Sequence, residues 1–92
     1  LAGSVRTTAR VVPNGDACLE VGNDIQNLAR DSGGSLLAPE RIETGGTRWL
    51  VQIPADRLAP FESSLAERGF SPVLGEAQGD PVIYSIEIRI AP

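Results

Sequence analysis

The run Val82–Ile90, VIYSIEIRI, constrains the fold more than any other stretch of the chain. Val82, Tyr84, Ile86, Ile88 and Ile90 alternate with Ile83, Ser85, Glu87 and Arg89. A period of two is that of a β-strand with one continuous apolar face and one mixed face. A helix would scatter those isoleucines around its circumference. An apolar sheet face this unbroken needs a second layer over it, and the chain offers two amphipathic segments to supply one.

Ser4 to Val12 reads as the opening strand, with Val5, Thr7, Ala9 and Val11 on one face and Arg6, Thr8 and Arg10 on the other. Pro13-Asn14-Gly15 breaks it. Asp16 is placed to cap a helix from Ala17 to Ser32. Cys18, Val21, Ile25 and Leu28 recur at helical spacing and form its buried stripe, while Glu20, Asp24, Asn27 and Asp31 face outward. Gly33-Gly34 stops the helix. Ser35 to Glu43 is a weaker strand, and Pro39 assigns it to a sheet edge because proline cannot donate to a ladder. Thr44-Gly45-Gly46 makes a hairpin turn into a third strand, Thr47 to Ile53, with Trp49, Val51 and Ile53 on one face and Arg48, Leu50 and Gln52 on the other. A second helix spans Asp56 to Arg68, with Leu58, Phe61 and Leu65 buried. Pro60 moves its regular start towards Ala59, after a tight turn. Phe70 to Ala77 is extended and irregular, and Gly79-Asp80-Pro81 turns the chain into the closing strand.

Strand, helix, strand, strand, helix, strand is the order of a ferredoxin-like α+β sandwich. That topology predicts an antiparallel sheet with both helices on one face. The first and third strands are expected parallel and adjacent at its centre, the last antiparallel beside the first. Ninety-two residues make one such domain.

The helix-free face is then predicted to carry Arg6, Thr8, Arg10, Arg48, Leu50, Gln52, Ile83, Ser85, Glu87 and Arg89. Four arginines on one face are the one uneven feature of the charge distribution, since most acids fall on the helices. Two readings follow. The face is solvated, with Glu87 pairing with arginines across strands. Or it docks a protein partner or a second copy, and Arg6, Arg10, Arg48, Leu50, Ile83 and Arg89 are the candidate contact residues. The edge strand Ser35–Glu43 is a further candidate, for strand addition.

Catalytic chemistry is not written in the chain. There is no histidine and one cysteine, which excludes the usual zinc sites and an internal disulfide. Cys18 sits on an apolar stripe with no base to activate it. Ser63, Ser64 and Ser71 also lack one. Glu40 and Glu43 read as solvated edge charges, and Trp49 reads as core. No glycine pair belongs to a phosphate-binding fingerprint, and no cofactor is expected. Acylphosphatases share the expected topology, but their arginine loop and asparagine have no match here. The net charge of −4 argues against nucleic acid and against an anionic membrane surface, and no segment is long and apolar enough to insert in a bilayer.

The stretches DIQNLARDSGGSLL, TRWLVQIPADRLAPFESSLAERGF and VIYSIEIRI resemble the domain that follows the transmembrane helix in bacterial zinc-finger anti-sigma factors, and related uncharacterised envelope proteins. The shared punctuation is Gly33-Gly34, Ile53-Pro54, Leu65 to Gly69 and the closing Ile86-Glu87-Ile88, within residues 17 to 90. The resemblance implies an extracytoplasmic, non-enzymatic sensory or interaction module, a fragment of a membrane-anchored parent. It lacks the zinc-finger ligands that would hold a sigma factor. The alternatives are a small-molecule-binding regulatory domain, which a polar pocket at the Gly33-Gly34 or Pro54 corner would favour, a structural domain of an envelope assembly, and a cytoplasmic location.

Overall fold

The computed structural model describes residues 5–43, 45–73, 75–77 and 79–92. In chain order these form β1 (Arg6–Val12), α1 (Gly15–Asp31), β2 (Ser35–Leu36), β3 (Glu40–Arg41), β4 (Thr47–Ile53), a 3-10 turn at Ala55–Arg57, α2 (Leu58–Glu67) and β5 (Val82–Ile90). The domain is α+β, with one mixed five-stranded sheet and two helices. Ser4 of the expected opening strand, turn residue Thr44 and Leu74 of the expected extended segment lie outside the described residues.

β5 lies inside the sheet, as its apolar alternation requires. Val82, Tyr84, Ile86 and Ile88 are each almost completely buried, and removing one such side chain from water stabilises by roughly 1.5–3 kcal/mol. They meet Val51, Ile53, Ile25, Phe61 and Leu65 in a single core between the sheet and the helices. The Phe61 and Tyr84 rings pack edge-to-face, with centroids 5.6 Å apart.

The strand order corrects the ferredoxin-like expectation. It is β1-β5-β4-β2, with β3 paired to β4. β1 is at the edge rather than the centre, is not next to β4, and runs parallel to β5, Arg6 opposite Tyr84 through Val12 opposite Ile90. β4 runs antiparallel to β5, Trp49 opposite Ile86. The physical reason lies in the segment between α2 and β5. Arg68, Ser71 and Val73 follow β1 in the opposite direction, against Arg10, Ala9 and Arg6 in turn. This strap occupies the outer flank of β1, where the last strand of a ferredoxin-like sheet would run. The chain therefore returns to the starting end of the domain before β5 begins. β5 then rises parallel to β1 and is inserted between β1 and β4.

Local chemistry sets the other boundaries. Asn14, rather than Asp16, caps α1, its side-chain oxygen accepting from the Ala17 N–H at 2.9 Å. Asp16 lies in the first turn, where a negative charge complements the helix dipole. The buried stripe of α1 is Cys18, Gly22, Ile25 and Ala29, with Val21 and Leu28 at its margins. It is shifted from the expected one because small residues permit closer approach. A Cβ on Gly22 would already touch Trp49 Nε1 at 3.4 Å. Gly33 takes a left-handed φ of +75° after the helix, and Gly34 is pressed so closely that a Cβ would sit 2.5 Å from the Gln52 carbonyl oxygen. The edge beyond β4 is two short pieces, β2 and β3, separated by Leu37, Ala38 and Pro39, as the proline predicts. Leu58, Phe61 and Leu65 form the buried face of α2, and Pro60 sits in its first turn after the 3-10 turn. Arg68 after α2 pairs with Asp24 of α1 and ties the two helices together.

Candidate functional site

The registers fix which side chains share the helix-free face. From β1 come Thr7, Ala9 and Val11; from β5 Ile83, Ser85, Glu87 and Arg89; from β4 Arg48, Leu50 and Gln52. Val5, just before β1, continues the alternation. Four of the six sequence-predicted contact residues, Arg48, Leu50, Ile83 and Arg89, are brought together there.

Arg6 and Arg10 are not. Both point to the helix side, and the alternation of β1 is inverted relative to the hydropathy reading. Arg6 is only 8% exposed; its Nε donates to Glu62 Oε2 at 3.1 Å and its Nη2 to the Val73 carbonyl at 3.0 Å. Its guanidinium lies 6.0 Å from the Tyr84 ring centroid, and the Tyr84 hydroxyl donates to the same Glu62 carboxylate. Thr8 Oγ1 donates to the Ser71 carbonyl at 2.6 Å, and Arg10 Nη1 to the Arg68 carbonyl at 2.8 Å. These three side chains fasten the strap. Their hydrogen bonds occupy polar groups that hydropathy assigns to solvent. Burial, and then the hydrogen bond to Glu62, push the Tyr84 hydroxyl up to about 12. The phenol therefore stays protonated at neutral pH and serves as a donor.

The inversion leaves Val5 and Val11 outside, 51% and 62% exposed. The helix-free face is thus more apolar along β1 than the sequence suggested. Val5, Ala9 and Val11 are the residues of this face that sequence reasoning placed on the opposite side. The only hint in the chain was Val12, which is buried and shares the parity of Arg6, Thr8 and Arg10.

The other end of the face is charged and internally paired. Glu87 is 12% exposed and lies between two arginines, Arg48 Nη2 at 3.2 Å and Arg89 Nη2 at 3.0 Å. Burial works to raise its carboxyl, but hydrogen bonds and charge from Arg89 and Arg48 outweigh burial and hold it below the usual carboxylate range. Arg48 also lies 3.8 Å from Glu40. Arg41, Ile42, Glu43, Arg48, Glu87 and Arg89 line a shallow depression of about 460 Å³ at the hairpin end. Gly46 shapes this corner, because a Cβ there would collide with the Ile88 carbonyl oxygen.

Elsewhere the surface offers little for catalysis. Cys18 is buried, its Sγ 3.8 Å from the Thr47 hydroxyl. Ser71 Oγ donates to the Ala9 carbonyl, and Ser63 is on the exposed side of α2. A depression of about 470 Å³ does lie at the Gly33 and Pro54 corner, with Arg30, Asp31, Ser32, Asp56 and Arg57 around it. It is a solvent-exposed dish, and none of its lining side chains is buried. Among the described residues no three of His, Cys, Asp and Glu converge as a metal site, and no helix is long and apolar enough to cross a membrane.

Compared with protein-family models, curated proteins and solved structures, the chain matches none.

Proposed function

We propose that this domain is a non-enzymatic protein-interaction module that docks through its helix-free sheet face. The observation that carries the reading is that face itself. It carries two exposed valines along its edge strand, with Ala9, Leu50 and Ile83, beside a paired cluster of arginine and glutamate on β4 and β5. Exposed apolar side chains beside an arginine cluster whose charges are already satisfied suit a protein contact. The β2–β3 edge supports strand addition less well. Its pieces are two residues long and Pro39 lies between them, which is how proteins blunt an edge.

The setting we propose is the extracytoplasmic part of a bacterial membrane-anchored regulator of the anti-sigma kind. Its support is the punctuation shared with that family: Gly33-Gly34 at a helix end, Ile53-Pro54 at a strand end, and the Ile86-Glu87-Ile88 closing strand. The non-enzymatic part is supported by nucleophiles that have no base beside them, and by a Tyr84–Glu62–Arg6 cluster that fastens one segment to another.

Site-specific photo-cross-linking in cells tests the docking role. A photoreactive residue at Leu50 is expected to give discrete adducts, and one at Leu19, exposed on α1, none. A Leu50 probe that stays free, or that reacts no more than the Leu19 probe, would overturn the reading.

A further inference from the structure

We infer that the outer edge of β1 is a strand-addition site, which takes an extended segment of a partner protein in place of the strap residue Ser71. The site lies on the flank of the sheet and goes beyond the face docking proposed above. The register fixes which backbone groups it offers. The Ala91 N–H donates to the Val12 carbonyl at 2.8 Å, so Val12 turns its backbone groups towards β5. Alternation along the strand gives Arg6, Thr8 and Arg10 the same direction. The N–H and C=O groups of Thr7, Ala9 and Val11 therefore point away from β5. The Ser71 N–H reaches the Ala9 carbonyl from that outer side, at 3.1 Å.

Each of these three residues presents one donor and one acceptor at the edge. Among the described residues, only the Ala9 carbonyl has a protein partner there, the N–H and the hydroxyl of Ser71. A full antiparallel pairing would exchange two backbone bonds between Ala9 and Ser71. The second is not made, because the Ser71 carbonyl accepts from the Thr8 hydroxyl at 2.6 Å. Pro72 has no N–H to continue a ladder, and the Val73 carbonyl accepts from Arg6. The strap thus crosses the edge at one residue without becoming a strand. Thr7 and Val11, on either side of that crossing, are exposed. Unpaired amide and carbonyl groups repeating every second residue complement one kind of ligand, another extended backbone.

The chain itself displays the pose. Ser71 sits where one residue of an added strand would sit, on a segment that runs antiparallel to β1. Ser71 and Pro72 are exposed, whereas Phe70 before them is buried and Val73 after them is half-buried. These two residues can bow outward while Phe70 and Val73 stay packed on the core. The incoming segment then takes the Ala9 carbonyl together with the groups that the strap leaves unpaired. Alternation also sets its sequence. Every second side chain falls on the helix-free side, beside Ala9 and the exposed Val11, where a β-branched apolar residue fits. The far edge of the sheet offers no equivalent, because β2 and β3 are two residues each with Pro39 between them.

Amide hydrogen exchange followed by NMR on the 92-residue chain is the test. The probe is a short synthetic peptide of alternating valine and threonine with a lysine at each end. Its control is the same peptide N-methylated at the valines, whose N–H groups would face β1. In the free chain the amides of Thr7, Ala9 and Val11 are expected to exchange at least about tenfold faster than those of Thr8, Arg10 and Val12. The peptide, at up to about 1 mM, is expected to slow those three amides, and the methylated control to leave them unchanged. Thr8→Val frees the Ser71 carbonyl and should tighten peptide binding about fivefold, the equivalent of one lost strap hydrogen bond. Val11→Pro removes an outward donor and no ladder bond, so it should abolish binding with an unchanged circular dichroism spectrum. Equal protection along β1 in the free chain, equal binding of both peptides, unchanged binding by a folded Val11→Pro, or no slowing of the three amides even in Thr8→Val overturns the inference. The edge and the face fail separately. A Leu50 probe that stays free removes the face docking and leaves the edge site, and the exchange result has the converse reach.

Discussion

β1 and β5 are parallel neighbours, and their two faces are used in opposite ways. In β5 the helix side is Val82, Tyr84, Ile86 and Ile88, and the outer side carries Glu87 and Arg89. In β1 the helix side is Arg6, Thr8 and Arg10, and the outer side carries Val11 and Ala9. The difference comes from what covers each strand. β5 lies under the helices, which cover it mainly with apolar side chains, the Glu62 carboxylate on the Tyr84 hydroxyl apart. β1 lies at the edge beside the strap, whose carbonyl groups need donors because irregular backbone has no ladder of its own. A strand next to a ladderless segment is best supplied with guanidinium and hydroxyl donors, and Arg6, Thr8 and Arg10 reach the carbonyls of Val73, Ser71 and Arg68.

If that division is right, the two strands respond differently to truncation. Ile86→Ala removes a fully buried side chain at the middle of the sheet and should cost about 2–5 kcal/mol in urea unfolding. Arg6→Ala should cost about 1–3 kcal/mol, because it leaves the Val73 carbonyl without its side-chain donor and the Glu62 carboxylate with the Tyr84 hydroxyl but no paired cation. A double-mutant cycle with Glu62→Gln should recover coupling between the two, and additivity would show that the strap is held by other means. Thr8→Val keeps the shape and loses the bond to Ser71, at a cost of about 1 kcal/mol. A hydrophobic gain from Thr8→Val would mean that the helix side of β1 tolerates apolar residues after all.

Titration separates the strands again. Tyr84 in the folded protein ionises near 12, above the ordinary value of 10.0 for a free tyrosine. The folded state therefore holds that proton more tightly than the unfolded chain does. The resulting stability is fully present below pH 10 and is lost as pH rises towards 12, together with the strap. Tyr84→Phe should flatten that alkaline limb. Glu87 has the opposite sign. Its folded carboxyl lies below the ordinary 4.5, so its contribution is present above that value and is lost as pH falls through the folded pKa. Glu87→Gln should remove part of the acid limb and leave the alkaline limb unchanged.

Much of the fold is legible residue by residue. VIYSIEIRI announces a strand with a covered face, and Trp49, Val51 and Ile53 alternate cleanly, so β4 and β5 are assigned correctly on both sides. The helices follow from their apolar spacing and from Gly33-Gly34 and Gly69. Two things are hidden for physical reasons. The sheet order depends on whether residues 70–81 form a turn or a return path, and an irregular extended segment has no periodicity to say which. The faces of β1 depend on hydrogen bonds formed to that segment, and hydropathy scores an arginine as solvated whether or not a carbonyl awaits it. Both errors share one source, the strap. Of the candidate site, the half built on β4 and β5 was therefore visible, and the half built on β1 was not.

The smallest predicted effect is the sharpest test of the inverted strand. Val11 is an apolar residue in a regular β-strand, and simple hydropathy would place it in the core, where Val→Thr introduces a hydroxyl that costs more than 1 kcal/mol. At 62% exposure Val11 has little to lose. Val11→Thr should change unfolding free energy by no more than about 0.5 kcal/mol, since threonine has comparable strand propensity and its hydroxyl meets water. The same substitution at Val12, 1% exposed and one residue on, should cost more than 1 kcal/mol. A valine pair so close in sequence and so far apart in response fixes which side of β1 faces the core. Equal losses at both positions would mean that Val11 is covered in solution.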